Sequence, residues 1–383
     1  MEIGKGKKTR RAFGFDEIAL VPGLRTLDPE LPDTTVTIGG IKLDFPIIAS
    51  AMDSVISPRT AVLMGKYGGL GVLNLQGVQT RYKDADKILE EIASVTKDKY
   101  VELMQRLYLE PVKPELVRQR IKEIKQHNVP VAVSVSPAAA EELGEIAVKV
   151  GADILFIQVT VTSTQHISKN YKLNLKQFCA KSKIPVAIGN CVTYEVTTQL
   201  MEAGAAAVLV GIGPGAACTS RGVLGVGMPM ATAIADCAAA RDDFKKKTKK
   251  YIPIISDGGM VVGGDICKSI ACGADAVMIG SPIAKAKEAP GRGYHWVRAP
   301  PNATLPRGAR INVGTIGTLK EILLGPAKYD DGSENLVSAL KTSMATLGAA
   351  NLKEMQKVAV VIAPSMLTEG KVFQKAQALG MYK

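Results

Sequence analysis

At 383 residues, 46% hydrophobic and with 37 glycines, the chain can bury a large core as one big α/β domain or two smaller ones, and it reads as globular. Its six cysteines show no Cys-x-x-Cys spacing, which argues against a zinc site or disulfide framework and for a reducing, cytoplasmic setting. The net charge of +12 is spread along the chain apart from 5–11 and 245–250, so it implies solvated faces that attract anionic small molecules and no nucleic-acid partner.

The lysines and arginines of Met1 to Phe15 precede no apolar run of the signal-peptide kind, and no run reaches the roughly 18 residues of a membrane span. Eight short apolar runs follow, bounded by glycine or proline: Pro46 to Met52, Gly69 to Asn74, Val129 to Val135, Ile154 to Val159, Pro185 to Asn190, Ala207 to Gly213, Ile252 to Asp257 and Ala276 to Ser281. Their apolarity is continuous, the pattern of parallel strands covered on both faces. Helical spacing separates most of them, over Ala138 to Val150, Leu173 to Lys183, Tyr194 to Ala203, Met228 to Lys245 and Gly264 to Ala271.

Eight alternations predict a closed (β/α)8 TIM barrel, one catalytic domain over 1–383. A doubly wound open sheet would want Gly-x-Gly-x-x-Gly after the first strand, which is absent. Residues 76–128 form an insertion after strand two, with helical patterns at Tyr82 to Thr96 and Pro114 to His127. Residues 290–320, after strand eight, lack periodicity and are expected to form an irregular flap over the catalytic end. A tail, 365–383, closes the chain.

Carboxyl ends of barrel strands converge on one pocket, so they form a list of candidate site residues. Strand one ends in Ser50-Ala51-Met52-Asp53, strand five in Gly189-Asn190, strand seven in Asp257-Gly258-Gly259 and strand eight in Gly280-Ser281. The last two lie where barrels hold phosphate, with Asp257 as an acceptor for ribose hydroxyls. After strand six comes Gly211-Ile212-Gly213-Pro214-Gly215-Ala216-Ala217-Cys218-Thr219-Ser220-Arg221, which puts Cys218 on a dipole-rich turn as a nucleophile. Backbone oxygens of Gly213, Gly215 and Cys218 could hold a monovalent cation that orders the loop.

These motifs, in this order, resemble the IMP dehydrogenase and GMP reductase family, whose loop is similar to Gly-Ile-Gly-Pro-Gly-Ser-x-Cys-Thr-Thr. The resemblance extends through Phe15 to Pro22, Gly69 to Gly71, Ser256 to Gly259, Gly273 to Ser281 and Glu288 to Gly291. It implies that Cys218, with Ser220 nearby, attacks C2 of a purine nucleotide surrounded by Ser50, Met52, Asn190, Asp257, Gly259, Gly280 and Ser281. Hydride then passes to NAD near Gln158, Gly211 and Gly213, with potassium as the loop cation. A homotetramer or octamer is implied as well. About fifty residues at 76–128 cannot hold the family's paired nucleotide-sensing (CBS) domain, so the chain resembles the short branch. It departs from the family at Ala216, Ser220, Leu209, Gln158 and Asn74.

Within the family, dehydrogenases use a flap arginine and tyrosine to activate water, whereas reductases resemble one another in a flap glutamate. Ala289 to Lys320 holds no acid but has Arg292, Arg298, Arg307 and Arg310, with Tyr294 and His295. That composition points to IMP oxidation to XMP, with Arg310 before Gly314 as the nearest match to the flap base. NADPH-dependent GMP reduction is the second reading, and a weakly active nucleotide-binding regulatory barrel is the non-enzyme one.

Overall fold

Eight parallel strands close into a barrel in the computed structural model, which describes residues 1–363 and 370–379. They are β1 (Ile47–Ala49), β2 (Leu70–Asn74), β3 (Ala132–Val135), β4 (Ile154–Gln158), β5 (Val186–Cys191), β6 (Ala207–Val210), β7 (Ile254–Asp257) and β8 (Ala276–Ile279). Pairing of Val277, Met278 and Ile279 on β8 with Ile47, Ile48 and Ala49 on β1 closes the ring. The continuous apolar runs are explained by two buried faces. Ile48, Val72, Phe156, Leu209, Ile255 and Met278 fill the interior, while Ile47, Leu73, Leu155, Val208 and Val277 face the surrounding helices. At the opposite end from the site, the hairpin of Val36–Ile38 and Ile41–Leu43 plugs the barrel with Ile38 and Leu43.

Up to residue 284 the α-helices are α1 (Pro58–Lys66), α2 (Ala85–Ser94), α3 (Tyr100–Leu107), α4 (Pro114–Lys125), α5 (Ala140–Val150), α6 (Leu175–Lys181), α7 (Tyr194–Glu202), α8 (Ser220–Leu224), α9 (Met230–Thr248), α10 (Gly263–Ala271) and α11 (Ser281–Ala284). Local chemistry sets their ends. Ser57 caps α1 by accepting from Thr60 N, with Pro58 at the first turn, and Asn174 caps α6 by accepting from Gln177 N. The expected helix at Leu173 to Lys183 is therefore shorter, whereas α9 runs on through its exposed lysines to Thr248. Among the described residues no helix is long and apolar enough to cross a membrane.

Two segments depart from the minimal repeat. In 76–128, α4 packs against α1 and α5 as part of the ring, while α2 and α3 form a satellite core with Tyr108 and Trp296. In the flap, β9 (Tyr294–Trp296) and β10 (Arg310–Asn312) pair antiparallel, His295 opposite Ile311. The segment is thus not irregular throughout: strands of three residues are too short to register as alternation. Of the tail, 365–369 and 380–383 lie outside the described residues, and Lys371–Ala376 is helical.

Candidate functional site

A cleft of about 470 Å3 opens at the carboxyl ends of the strands. Ser50 and Met52 enter it after β1, Gln158 from β4 and Asn190 from β5. The loop after β6 contributes Gly211, Gly213, Gly215 and Cys218, and α8 contributes Ser220. Asp257 and Gly259 come from the end of β7, and Gly280 and Ser281 follow β8. These thirteen expected positions share one cavity; Arg310 is not on its wall.

The loop carrying the thiol is shaped by backbone bonds. Gly211 approaches so close to β7 that a Cβ would lie 2.3 Å from Asp257 O, and Gly213 adopts φ +79°. Cys218 N donates to Gly215 O at 2.9 Å, tightening the turn before α8. Cys218 Sγ lies 3.4 Å from the buried Ser220 Oγ. A Cβ on Gly215 would meet only the Cβ of Cys218, at 3.8 Å, so the wall beside the sulfur is open to a flat ligand.

Asp257 is the one carboxylate on the cleft wall among the described residues. Its Oδ2 accepts from Asn190 Nδ2 at 2.8 Å and from Gln158 Nε2 at 2.7 Å, and Asn190 Nδ2 also donates to Gly211 O at 2.9 Å. Burial pushes the carboxyl up to about 6, against the two amide donors and Arg298, which favour its charge. Gln158 is therefore engaged with the expected ribose acceptor.

The flap covers this mouth. Arg298 donates to Gln158 O at 2.5 Å, and its guanidinium is lowered to about 10 by burial, opposed by Asp53 and Asp257. Ala309 N donates to Ala217 O at 2.8 Å, and Gly308 N to Thr219 Oγ1 at 2.7 Å, which brings Arg307 to the cleft beside the Cys218 loop. His295 is buried and lines the same wall, its imidazole lowered to about 4 by desolvation. These three residues were visible in the sequence only as residue types in an acid-free stretch, since no spacing tells which flap side chains turn inward.

Arg310 points elsewhere. It donates to Ile92 O at 2.9 Å, Ala93 O at 2.7 Å and Val95 O at 2.6 Å, carbonyls at the end of α2, and lies over the Tyr294 ring at 4.3 Å. Arg292 pairs with Glu90 on α2. Two of the four flap arginines thus pin the flap to the insertion, and Arg298 and Arg307 face the cleft. Beneath the floor, Asp53 Oδ2 accepts from Tyr108 Oη at 2.5 Å and Val78 N at 3.0 Å, tying the insertion to β1.

The expected cation set, the backbone oxygens of Gly213, Gly215 and Cys218, lies on the same loop. Gly215 O already accepts the Cys218 amide, and the Arg221 stem packs on Gly213 and Gly227 while Nη2 donates to Met228 O at 2.7 Å. Among the described residues no group of three or more acidic, histidine or cysteine side chains could hold a metal ion.

Comparison with known proteins places these features in context. The description "IMP dehydrogenase / GMP reductase domain" matches residues 12–297. The chain is 37% identical over 372 residues to an uncharacterized oxidoreductase of Mycolicibacterium smegmatis, covering 94% of this chain and 99% of that one. It is 31% identical over 408 residues to inosine-5'-monophosphate dehydrogenase of Cryptosporidium parvum, covering 97% and 95%. The crystal structure of an IMP dehydrogenase/GMP reductase-like protein from Corynebacterium glutamicum superposes with a TM-score of 0.90 at 37% identity, covering 94% and 97%.

Proposed function

The chain belongs to the IMP dehydrogenase / GMP reductase family of oxidoreductases, and on that premise we propose that it oxidises IMP to XMP with NAD. The observation that carries this direction is the flap wall above the Cys218 loop, which offers Arg298 and Arg307 but no carboxylate. A reductase would need an acid there to help ammonia leave.

In this reading Cys218 Sγ adds to C2 of the hypoxanthine ring and gives up its proton. NAD, when bound, accepts the hydride that leaves C2. Water then attacks the same carbon of the nucleotide thioimidate, the C–S bond breaks, and XMP departs as the thiol is restored. Ser220, 3.4 Å from the sulfur, orients it. Asp257, held by Asn190 and Gln158, accepts the ribose hydroxyls. Ser50, Met52, Gly259, Gly280 and Ser281 frame the nucleotide, while Gln158, Gly211 and Gly213 border the dinucleotide.

Arg307 replaces Arg310 as the residue that orients water, because its backbone neighbour Gly308 is bonded to Thr219, next to the thiol. No step is assigned to potassium. A homotetramer or octamer and a cytoplasmic setting complete the proposal.

The test is an assay of the purified protein with IMP or GMP, each with NAD(H) or NADP(H). XMP and NADH from IMP and NAD are expected. Conversion of GMP to IMP with NADPH would reverse the direction, and nucleotide binding without either turnover would leave only a regulatory barrel.

A further inference from the structure

His295 is the one histidine of three that is buried, 2% exposed, and it stands on the cleft wall rather than in the core. Its ring is fixed from behind. Ser54 Oγ lies 3.1 Å from His295 Nδ1, accepts from Trp296 N at 3.2 Å, and lies 3.4 Å from Trp296 O. With Ser54 Oγ donating to Nδ1, the shorter of its two possible acceptors, the ring proton is assigned to Nε2.

Nε2 has no hydrogen-bond partner among the described residues. It lies against Gly280: a Cβ there would be 2.9 Å from His295 Cε1 and 3.1 Å from Nε2, with Met52 Sδ at 3.5 Å. Nε2 is not sealed from solvent but opens onto the cleft, where an oxygen brought by a ligand can meet it. Gly280 and Ser281 follow β8, next to the Gly258-Gly259 turn after β7, and these are the loops at which barrels hold phosphate. The imidazole lowered to about 4 by burial stays neutral at working pH, which leaves Nδ1 free to accept from Ser54.

We propose that His295 is a specificity-determining residue that donates its Nε2–H to the phosphate oxygen of the nucleotide seated at Gly280-Ser281. The inference rests on the nucleotide reading above. It makes the flap strand β9 part of the phosphate site, so that seating the phosphate and docking the flap favour one another. It also gives Gly280 a steric reason, since any side chain there would displace the ring.

Two substitutions separate this role from simple packing. In His295→Asn the amide sits where Nδ1 was and can still meet Ser54, but nothing reaches Gly280. In His295→Gln the amide extends to the Nε2 position. Calorimetric titration of the full chain with IMP and with inosine reads the difference. Asn is expected to weaken IMP binding about tenfold, the usual loss for a hydrogen bond to a charged group, with inosine changed less than about twofold and Gln close to wild type. Equal losses for IMP and inosine, or unchanged IMP binding in His295→Asn, would overturn the proposal. Wild-type protein that binds IMP no better than inosine would overturn the phosphate site and the nucleotide reading together.

Discussion

Asp257 shows how burying a single carboxylate costs stability. Two amides point at one of its oxygens, yet burial still raises the carboxyl from its usual 3.8 to about 6. The folded protein binds this proton more tightly than the unfolded chain does, so the group costs stability above pH 6. That cost fades as pH falls from 6 toward 3.8. Asp257→Asn removes the charge while keeping an oxygen for Asn190 and Gln158. Its unfolding free energy at pH 7.5 should exceed wild type by about 1–3 kcal/mol, the gain vanishing near pH 4, as denaturant melts would measure. A variant less stable than wild type at pH 7.5 would show that Asp257 is held by attractive contacts outweighing burial. The place of Cys218 on the cleft wall, by contrast, was legible from sequence, because a loop after a barrel strand opens at the mouth.

At the scale of elements, the flap is held by its basic residues and not merely decorated with them. Arg310 serves three carbonyls at the end of α2 and lies over Tyr294, so β10 is moored to the insertion. Sequence reasoning placed it at the reacting atoms because Arg310, four residues before Gly314, is the nearest match to the family's flap base. Nothing in the sequence reveals that α2 ends with open carbonyls at that point, for the contact spans more than two hundred residues. Arg310→Met keeps the stem and removes the donors. Limited proteolysis should then cut within 297–309 faster than in wild type, and turnover should fall about tenfold or more while IMP affinity changes little. Lost turnover with the flap as protease-resistant as before would return Arg310 to the chemistry. His295 escaped assignment for a related reason: its place on the wall depends on β9 pairing with β10, a ribbon too short to read from periodicity.

Over the whole molecule, the barrel was legible because eight doubly buried strands leave continuous apolar runs; seven barrel strands fall within an expected run, and β5 passes the end of its run by one residue, to Cys191. The insertion was only half legible. Its α4 carries a regular amphipathic pattern, whereas α3 (Tyr100–Leu107) is short and was not anticipated. The structure makes the insertion a support for the flap, through Arg310, Arg292 and the shared core of Tyr108 and Trp296. The barrel mouth, flap and insertion thus act as one assembly around one sulfur. The most direct measurement is the intact mass of the full chain quenched during turnover with IMP and NAD. The account predicts a covalent nucleotide adduct that maps to the Cys218 peptide and is absent, along with activity, in Cys218→Ala. Turnover that survives Cys218→Ala, or an adduct on another residue, would contradict it.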